Sequence, residues 1–111
     1  MNETDYSLET LLKKVKEHSP LSDMEKITKA YYFSEKAHEG QKRRSGEPYF
    51  IHPVTVAGIL AELGMDTDSI VAGLLHDCLE DTNVTYVNIE KEFGRPVAEL
   101  VNGVTRLGKI V

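Results

Sequence analysis

One short segment of the sequence, residues 73–82, begins with apolar residues and ends with a histidine and three carboxylates. These four side chains fall within six positions and are His76, Asp77, Glu80 and Asp81. Imidazole nitrogen and carboxylate oxygen together suit a divalent cation such as manganese(II), iron(II) or zinc. Such a cation acidifies water and polarises a phosphoryl oxygen. The segment therefore indicates either a hydrolytic metal site or the solvated end of a helix.

A helical wheel of the segment separates its polar side chains from its apolar ones. With about 100° between successive residues, the four polar groups fall within roughly 140° of one another. Cys78 lies on the apolar side, so we predict that it is a small buried hydrophobe. Glu80 and Asp81 stand at a helix end where the backbone is already partly negative, and a bound cation would offset this repulsion. If this face is open to water, the same repulsion costs only about a few tenths of a kcal/mol, and no cation is needed to offset it.

His52 adds a second histidine to the candidate ligands. It precedes Pro53, a residue that suits the first turn of a helix. A single histidine of this kind is more often a core or capping residue than a ligand. Together with His76 and Asp77, however, it makes a plausible set of metal ligands. Because cysteine ligands are missing from the set, a structural zinc site is disfavoured.

A basic loop runs directly into His52. Lys42, Arg43 and Arg44 are followed by Ser45 and a glycine, which is a turn signal. Consecutive cations in a loop are often only solvated surface, but guanidinium groups match phosphate oxygens in geometry and charge. Metal ligands, acids and arginines together favour a phosphoester or pyrophosphate hydrolase.

Helix signals occupy almost the whole chain, and strand signals are nearly absent. We predict an all-α domain of about six short helices. Ser7, Asp66 and Thr85 are predicted to cap helices, and Ser22 with Glu25 is predicted to form a capping box. The helix that follows Asp66, the fourth, carries the histidine and the carboxylates.

The composition sets broad limits on the kind of protein. A chain of 111 residues, 41% of them hydrophobic, is enough for one small domain. The net charge of −5 argues against binding to duplex nucleic acid. One cysteine excludes an intrachain disulfide. Because we find neither an apolar run of membrane-spanning length nor a signal-peptide pattern, we expect no membrane association and a cytoplasmic location.

Three segments in order, Ala37–Pro53, Ala72–Thr82 and Phe93–Ile110, resemble the N-terminal hydrolase domain of the RelA/SpoT family. The resemblance implies an all-helical HD domain that binds manganese(II) and removes pyrophosphate from the 3′ position of (p)ppGpp, giving GDP or GTP. Full-length members usually add a synthetase domain. The implied metal ligands are His52, His76 and Asp77. The implied groups that activate or orient water are Glu80 and Asp81, and those beside the nucleotide phosphates are Arg43, Arg44 and Ser45.

The resemblance also implies a fourth metal ligand, an aspartate on a later helix that this chain does not reach. The other aspartates lie upstream and match no such motif: Asp5, Asp23, Asp66 and Asp68. We therefore expect residues 1–111 to form a partial HD domain, with an N-terminal helix in 1–20 and the family-like region in 22–111. We expect weak or no manganese binding, little or no hydrolase activity from this chain alone, and self-association through uncovered apolar surface.

Two other functions stay open at this point. An HD phosphohydrolase of another nucleotide is disfavoured by the basic loop. An inactive or regulatory HD module is disfavoured because His52, the pair His76 and Asp77, and the acidic pair are all present. For His38 we favour a capping or surface role over a place near the site, and we interpret Tyr49 as a residue that packs near a nucleotide.

Overall fold

A computed structural model describes residues 6–110, with side chains for residues 6–104. Its helices are α1 (Leu8–His18), α2 (Met24–Ala37), α3 (Ile51–Glu62), α4 (Thr67–Leu75), α5 (Cys78–Asp81), α6 (Tyr86–Phe93) and α7 (Arg95–Ile110). Across the described residues the only strand-like pairing is one isolated bridge, between Lys42 and Pro48. The predicted all-α class is confirmed.

Side-chain caps begin three of these helices at the residue that the sequence predicts. Ser7 accepts a hydrogen bond from the backbone of Thr10, and Asp66 accepts one from Ser69. Thr85 forms a full capping box at the start of α6. The prediction for α2 is wrong by one residue, because Asp23 rather than Ser22 is the cap, with Oδ1 3.0 Å from the backbone nitrogen of Lys26.

Helix α4 is the centre of the domain, in contact with α2, α3 and α7. Every residue from Ile70 to Leu75 is buried. Gly73 permits the close approach of α3, since a Cβ atom built there would lie 2.7 Å from Cδ1 of Leu60. This packing sets the distance between the residues at the start of α3 and those at the end of α4.

The predicted fourth helix is divided in two. Helix α4 ends at Leu75, His76 and Asp77 form a turn, and α5 is a single helical turn. Asp77 has φ −93° and ψ −3°, a conformation of turns rather than of regular helix. Cys78 is fully buried as predicted. The polar groups therefore cluster at a helix end and the following turn, and not along one continuous helix face.

Residues 41–49, here called the basic hairpin, are held by their own backbone. The backbone nitrogen of Arg43 donates to the carbonyl of Glu47 at 2.8 Å, and that of Tyr49 donates to Gln41 at 2.9 Å. Gly46 closes the turn with φ +91°, a conformation that glycine adopts without strain. The hairpin leads directly into α3.

Among the residues the structure describes, no helix is both long enough and apolar enough to span a bilayer.

Candidate metal centre

Three predicted ligands meet at one point of the structure. Nε2 of His76 lies 3.0 Å from Oδ2 of Asp77, and Nε2 of His52 lies 3.4 Å from the same oxygen. The two Nε2 atoms are 3.3 Å apart. His52 comes from the first turn of α3, and the other two come from the turn after α4. The packing of α3 on α4 thus joins groups that are 24 residues apart in the chain.

The triangle formed by these three atoms has the size that a transition-metal cation requires. A cation bound about 2.1 Å from each ligand separates neighbouring ligands by about 3.0 Å at a right angle and about 3.4 Å at a tetrahedral angle. The observed edges lie within this range. Two imidazoles and one carboxylate also have the mixed nitrogen and oxygen character of manganese, iron and zinc sites. The donor set therefore fits a divalent metal.

The orientation of His76 suits a ligand. Its Nδ1 lies 2.7 Å from the carbonyl oxygen of Gly73. A carbonyl only accepts, so Nδ1 carries the hydrogen and donates it. In the neutral ring, Nε2 then carries the lone pair and points toward the other two ligands.

The electrostatics of the three ligands are coupled. Burial lowers the pKa of His52, and the positive charges of His76 and Arg43 act in the same direction. Burial also opposes charge on His76, but hydrogen bonds to Asp77 and Gly73 outweigh it and raise its pKa. For Asp77, burial raises the pKa, yet the hydrogen bonds from His76 and Tyr49 prevail and hold it below its usual value. Asp77 is thus a partly buried carboxylate whose negative charge is stabilised by His76 and Tyr49.

Tyr49 connects this centre to Asp81. Its hydroxyl lies 2.9 Å from Oδ2 of Asp77 and 3.0 Å from Oδ2 of Asp81. The sequence indicated a place for Tyr49 beside a nucleotide, and it gave no sign of these hydrogen bonds. Of the two predicted catalytic acids, Asp81 is therefore linked to the candidate ligand Asp77 through the hydroxyl of Tyr49. Among the described side chains, Glu80 is exposed and has no hydrogen bond or ion pair.

The basic hairpin brings one arginine within electrostatic reach of the centre. Arg43 is close enough to influence the pKa of His52. Arg44 and Ser45 are exposed in the turn of the hairpin, and the hydroxyl of Ser45 donates to Glu47 at 3.4 Å. The predicted phosphate-binding residues thus lie in one exposed hairpin, and the charge of Arg43 acts on His52.

His38 occupies a different environment from the one predicted. It is the C-cap residue of α2, as a capping role requires, but its side chain is only 2% exposed, so a surface role is wrong. Its ring stacks on Tyr49 with centroids 5.0 Å apart, and Nδ1 lies 2.8 Å from Oε1 of Gln41. Its Nε2 lies 3.8 Å from the sulfur of Cys78. His38 therefore packs against the basic hairpin and helps to hold it in place.

A family model described as an HD domain matches residues 30–111. Since this match covers more than half of the chain, the chain belongs to the HD domain family.

Several curated relatives are similar over nearly all of this chain. The guanosine-3′,5′-bis(diphosphate) 3′-pyrophosphohydrolase of Aquifex aeolicus is 54% identical over 96% of the chain. The GTP pyrophosphokinase of Myxococcus xanthus is 54% identical over 86% of it. The bifunctional (p)ppGpp synthase/hydrolase SpoT of Escherichia coli is 47% identical over 95% of it. The chain spans only 12–15% of the length of these relatives. The resemblance to the RelA/SpoT family is confirmed.

Proposed function

We propose that this chain carries the metal-dependent site that hydrolyses the 3′-pyrophosphate of (p)ppGpp, within a protein of the stringent response. One observation carries the proposal: Nε2 of His52, Nε2 of His76 and Oδ2 of Asp77 lie within 3.4 Å of one another. The names of the relatives from Aquifex aeolicus and Escherichia coli support this substrate class.

His52, His76 and Asp77 are the proposed ligands, and manganese(II) is the proposed ion. When bound, a divalent cation supplies positive charge that polarises a phosphoryl oxygen and acidifies water. The residues of the chain fix the position of that charge. His76 is held by Gly73, and Asp77 is held by its hydrogen bonds.

The acids Asp81 and Glu80 are proposed to handle the attacking water. Hydrolysis breaks the bond between the ribose 3′ oxygen and the adjoining phosphorus. Water supplies a hydroxyl to that phosphorus and a proton to the 3′ oxygen, so the products are GDP or GTP and pyrophosphate. Asp81, hydrogen-bonded to Tyr49 beside the ligands, is the better placed of the two acids to accept a proton from water. Glu80, on the same exposed turn, is proposed to orient the water.

The basic hairpin is proposed to bind the phosphates. Arg43 and Arg44 present guanidinium groups, which pair with phosphate oxygens through two hydrogen bonds at once. Ser45 adds a hydroxyl at the same turn, and the hydrogen bond that it donates to Glu47 is long, at 3.4 Å. The charge of Arg43 acts on His52, which supports a place for the phosphates on the side of the hairpin toward this histidine.

The activity is best tested in a hybrid protein. The chain would replace the matching segment of the Escherichia coli bifunctional (p)ppGpp synthase/hydrolase SpoT, and pyrophosphate release from ppGpp would be measured with manganese. We expect manganese-dependent hydrolysis that His76→Ala abolishes and His18→Ala leaves unchanged. A folded hybrid that releases no pyrophosphate would refute the proposed activity. Faster turnover of another nucleotide in a substrate panel would instead assign a different HD phosphohydrolase.

Self-association is a further part of the proposal. Leu100 and Val104, four residues apart on α7, are 43% and 49% exposed and so share one uncovered apolar stripe. Sedimentation should show association of the chain that depends on concentration. Leu100→Glu should weaken it, whereas Val87→Glu, on α6, should not. A monomer at all concentrations would count against this part.

A cytoplasmic location belongs to the same proposal and rests on the substrate class, a free guanosine nucleotide. Cell fractionation with an antibody to the protein would test it, and recovery with membranes would contradict it.

A further inference from the structure

We infer that Tyr49 is the positioning residue of this centre: its hydroxyl fixes the carboxylate of Asp77 as a metal ligand and couples that ligand to Asp81. The inference deepens the proposed function and rests on its metal site.

The first step is the position of the hydroxyl. It lies 2.9 Å from Oδ2 of Asp77, which is the same oxygen that faces both imidazoles. It also lies 3.0 Å from Oδ2 of Asp81. A phenol has one hydrogen to donate, whereas an ionised carboxylate only accepts. Two negative groups therefore share a single donor, and the donor holds them on the same side of the site.

The second step is that Tyr49 is itself held in place. Its backbone nitrogen donates to the carbonyl of Gln41 at 2.9 Å, and its own carbonyl accepts from the backbone nitrogen of His52 at 3.0 Å. Its ring stacks on the buried ring of His38. The hydroxyl is thus fixed by backbone bonds on both sides and by a stacked ring.

The third step is what a fixed donor does for a ligand. A carboxylate on a short turn can rotate about its side-chain bonds, and each lost orientation costs entropy when the metal binds. Groups that hydrogen-bond to the side chains coordinating a metal remove this freedom. Loss of one such group typically weakens metal affinity by roughly 10–100-fold. Among the described residues, Tyr49 is the one side chain outside the three ligands that donates to Asp77.

Tyr49→Phe isolates the hydroxyl, because phenylalanine keeps the ring that stacks on His38. Tyr32→Phe is the matched control, since Tyr32 is an exposed tyrosine on α2. For each chain, the affinity for manganese would be measured from the signal of free Mn²⁺ in electron paramagnetic resonance. Cobalt(II) would be added separately, since its visible absorption depends on the ligand geometry. Thermal unfolding without metal would check that each variant folds.

We expect Tyr49→Phe to bind manganese at least about 10-fold more weakly, to change the cobalt spectrum, and to melt close to the wild-type temperature. Tyr32→Phe should match the wild type in all three measurements. Adding Tyr49→Phe to Asp81→Ala should still weaken binding, because Asp77 remains to be positioned.

Equal affinity and an unchanged cobalt spectrum in Tyr49→Phe would overturn the inference while leaving the proposed function intact. So would a loss of affinity that appears equally in Tyr32→Phe, or one that merely follows the loss of folded protein. If the wild-type chain alone bound neither manganese nor cobalt, the same measurements would be made on the hybrid with the Escherichia coli SpoT protein, and a hybrid that bound neither would refute the proposed metal site and this inference with it.

Discussion

His76 and Gly73 are joined by a hydrogen bond from the ring Nδ1 to a backbone carbonyl 2.7 Å away, at the end of α4. Carbonyls in the last turn of a helix have no partner within the helix. Here one of them fixes both the tautomer and the direction of a candidate ligand. The carbonyl of Gly73 therefore orients the histidine ring, a role that a carboxylate outside the ligand set has in many metal sites.

The first prediction concerns this histidine. His76→Ala removes one nitrogen ligand and should weaken manganese binding by at least about 10-fold. His18→Ala is the control, since His18 is an exposed histidine at the end of α1. Metal analysis of the purified chains, after equilibration with equal manganese, checks the result. If His18→Ala held measurable manganese and His76→Ala held the same amount, the assignment of His76 as a ligand would be refuted.

The second prediction concerns the basic hairpin. Arg43→Ala and Arg44→Ala should each weaken the binding of inorganic pyrophosphate by roughly 10-fold, the loss expected for one charge-assisted hydrogen bond. Lys13→Ala removes an exposed cation from α1 and should have little effect. Isothermal titration calorimetry at fixed ionic strength measures the affinities. If Lys13→Ala weakened binding as much as the arginine variants, net charge rather than the hairpin would be responsible.

The third prediction concerns pH and the start of α4. Hydrogen bonds from Ser69 hold the pKa of Asp66 below its ordinary value. The stabilisation from this cap is therefore complete above the unfolded pKa of about 3.9 and is lost as the pH falls through the lower folded value. Asp66→Ala should lower the free energy of unfolding at pH 7 by about 1 kcal/mol.

Urea unfolding from pH 7 to pH 2 tests this cap. Asp66→Asn should retain most of the stability at pH 7, because asparagine caps helices without titrating. In acid, the free energy of unfolding of Asp66→Asn should therefore rise relative to that of the wild type. A stability difference between the wild type and Asp66→Asn that stays constant across this range would show that the carboxylate does not titrate as inferred.

The fourth prediction concerns the single thiol. Cys78 is fully buried, and burial raises the pKa of its thiol to about 12. Because the thiolate is the reactive form, an aromatic disulfide reagent at pH 8 should react slowly, at a rate set by opening of the fold. The same chain in strong denaturant should react at once. Rapid and complete reaction of the native protein would mean that Cys78 is accessible and that the core differs from the structure.

Local signals account for the part of the fold that the sequence predicted. The caps Ser7, Asp66 and Thr85 bond to backbone groups three residues away, so their patterns are visible in the chain itself. Ser22 and Asp23 are adjacent residues of similar capping strength, and sequence alone did not distinguish them. The turn at His76 and Asp77 carries no glycine or proline, so nothing in the pattern marked the end of α4.

The candidate site likewise has a part that the sequence predicted and a part that it did not. The two histidines and Asp77 were identified by residue type and by resemblance, and the structure brings them together. Tyr49 bonds to carboxylates 28 and 32 residues away, a relationship that only the packing of the hairpin on the helices creates. His38 stands beside Glu39 and Gly40, a polar context typical of a surface, yet the hairpin covers it. Both contacts depend on tertiary structure, so the spacing of residues in the sequence does not predict them.

The basic hairpin is held by backbone hydrogen bonds on both sides of its turn, and none of these bonds depends on which side chains stand at positions 43–45. Its shape and its sequence are therefore separable. A descendant of this chain could exchange the arginines for other residues and so recognise a different phosphorylated ligand, while the ligand-bearing helices kept their arrangement. The hairpin is therefore a segment whose backbone stays the same when the side chains at positions 43–45 change.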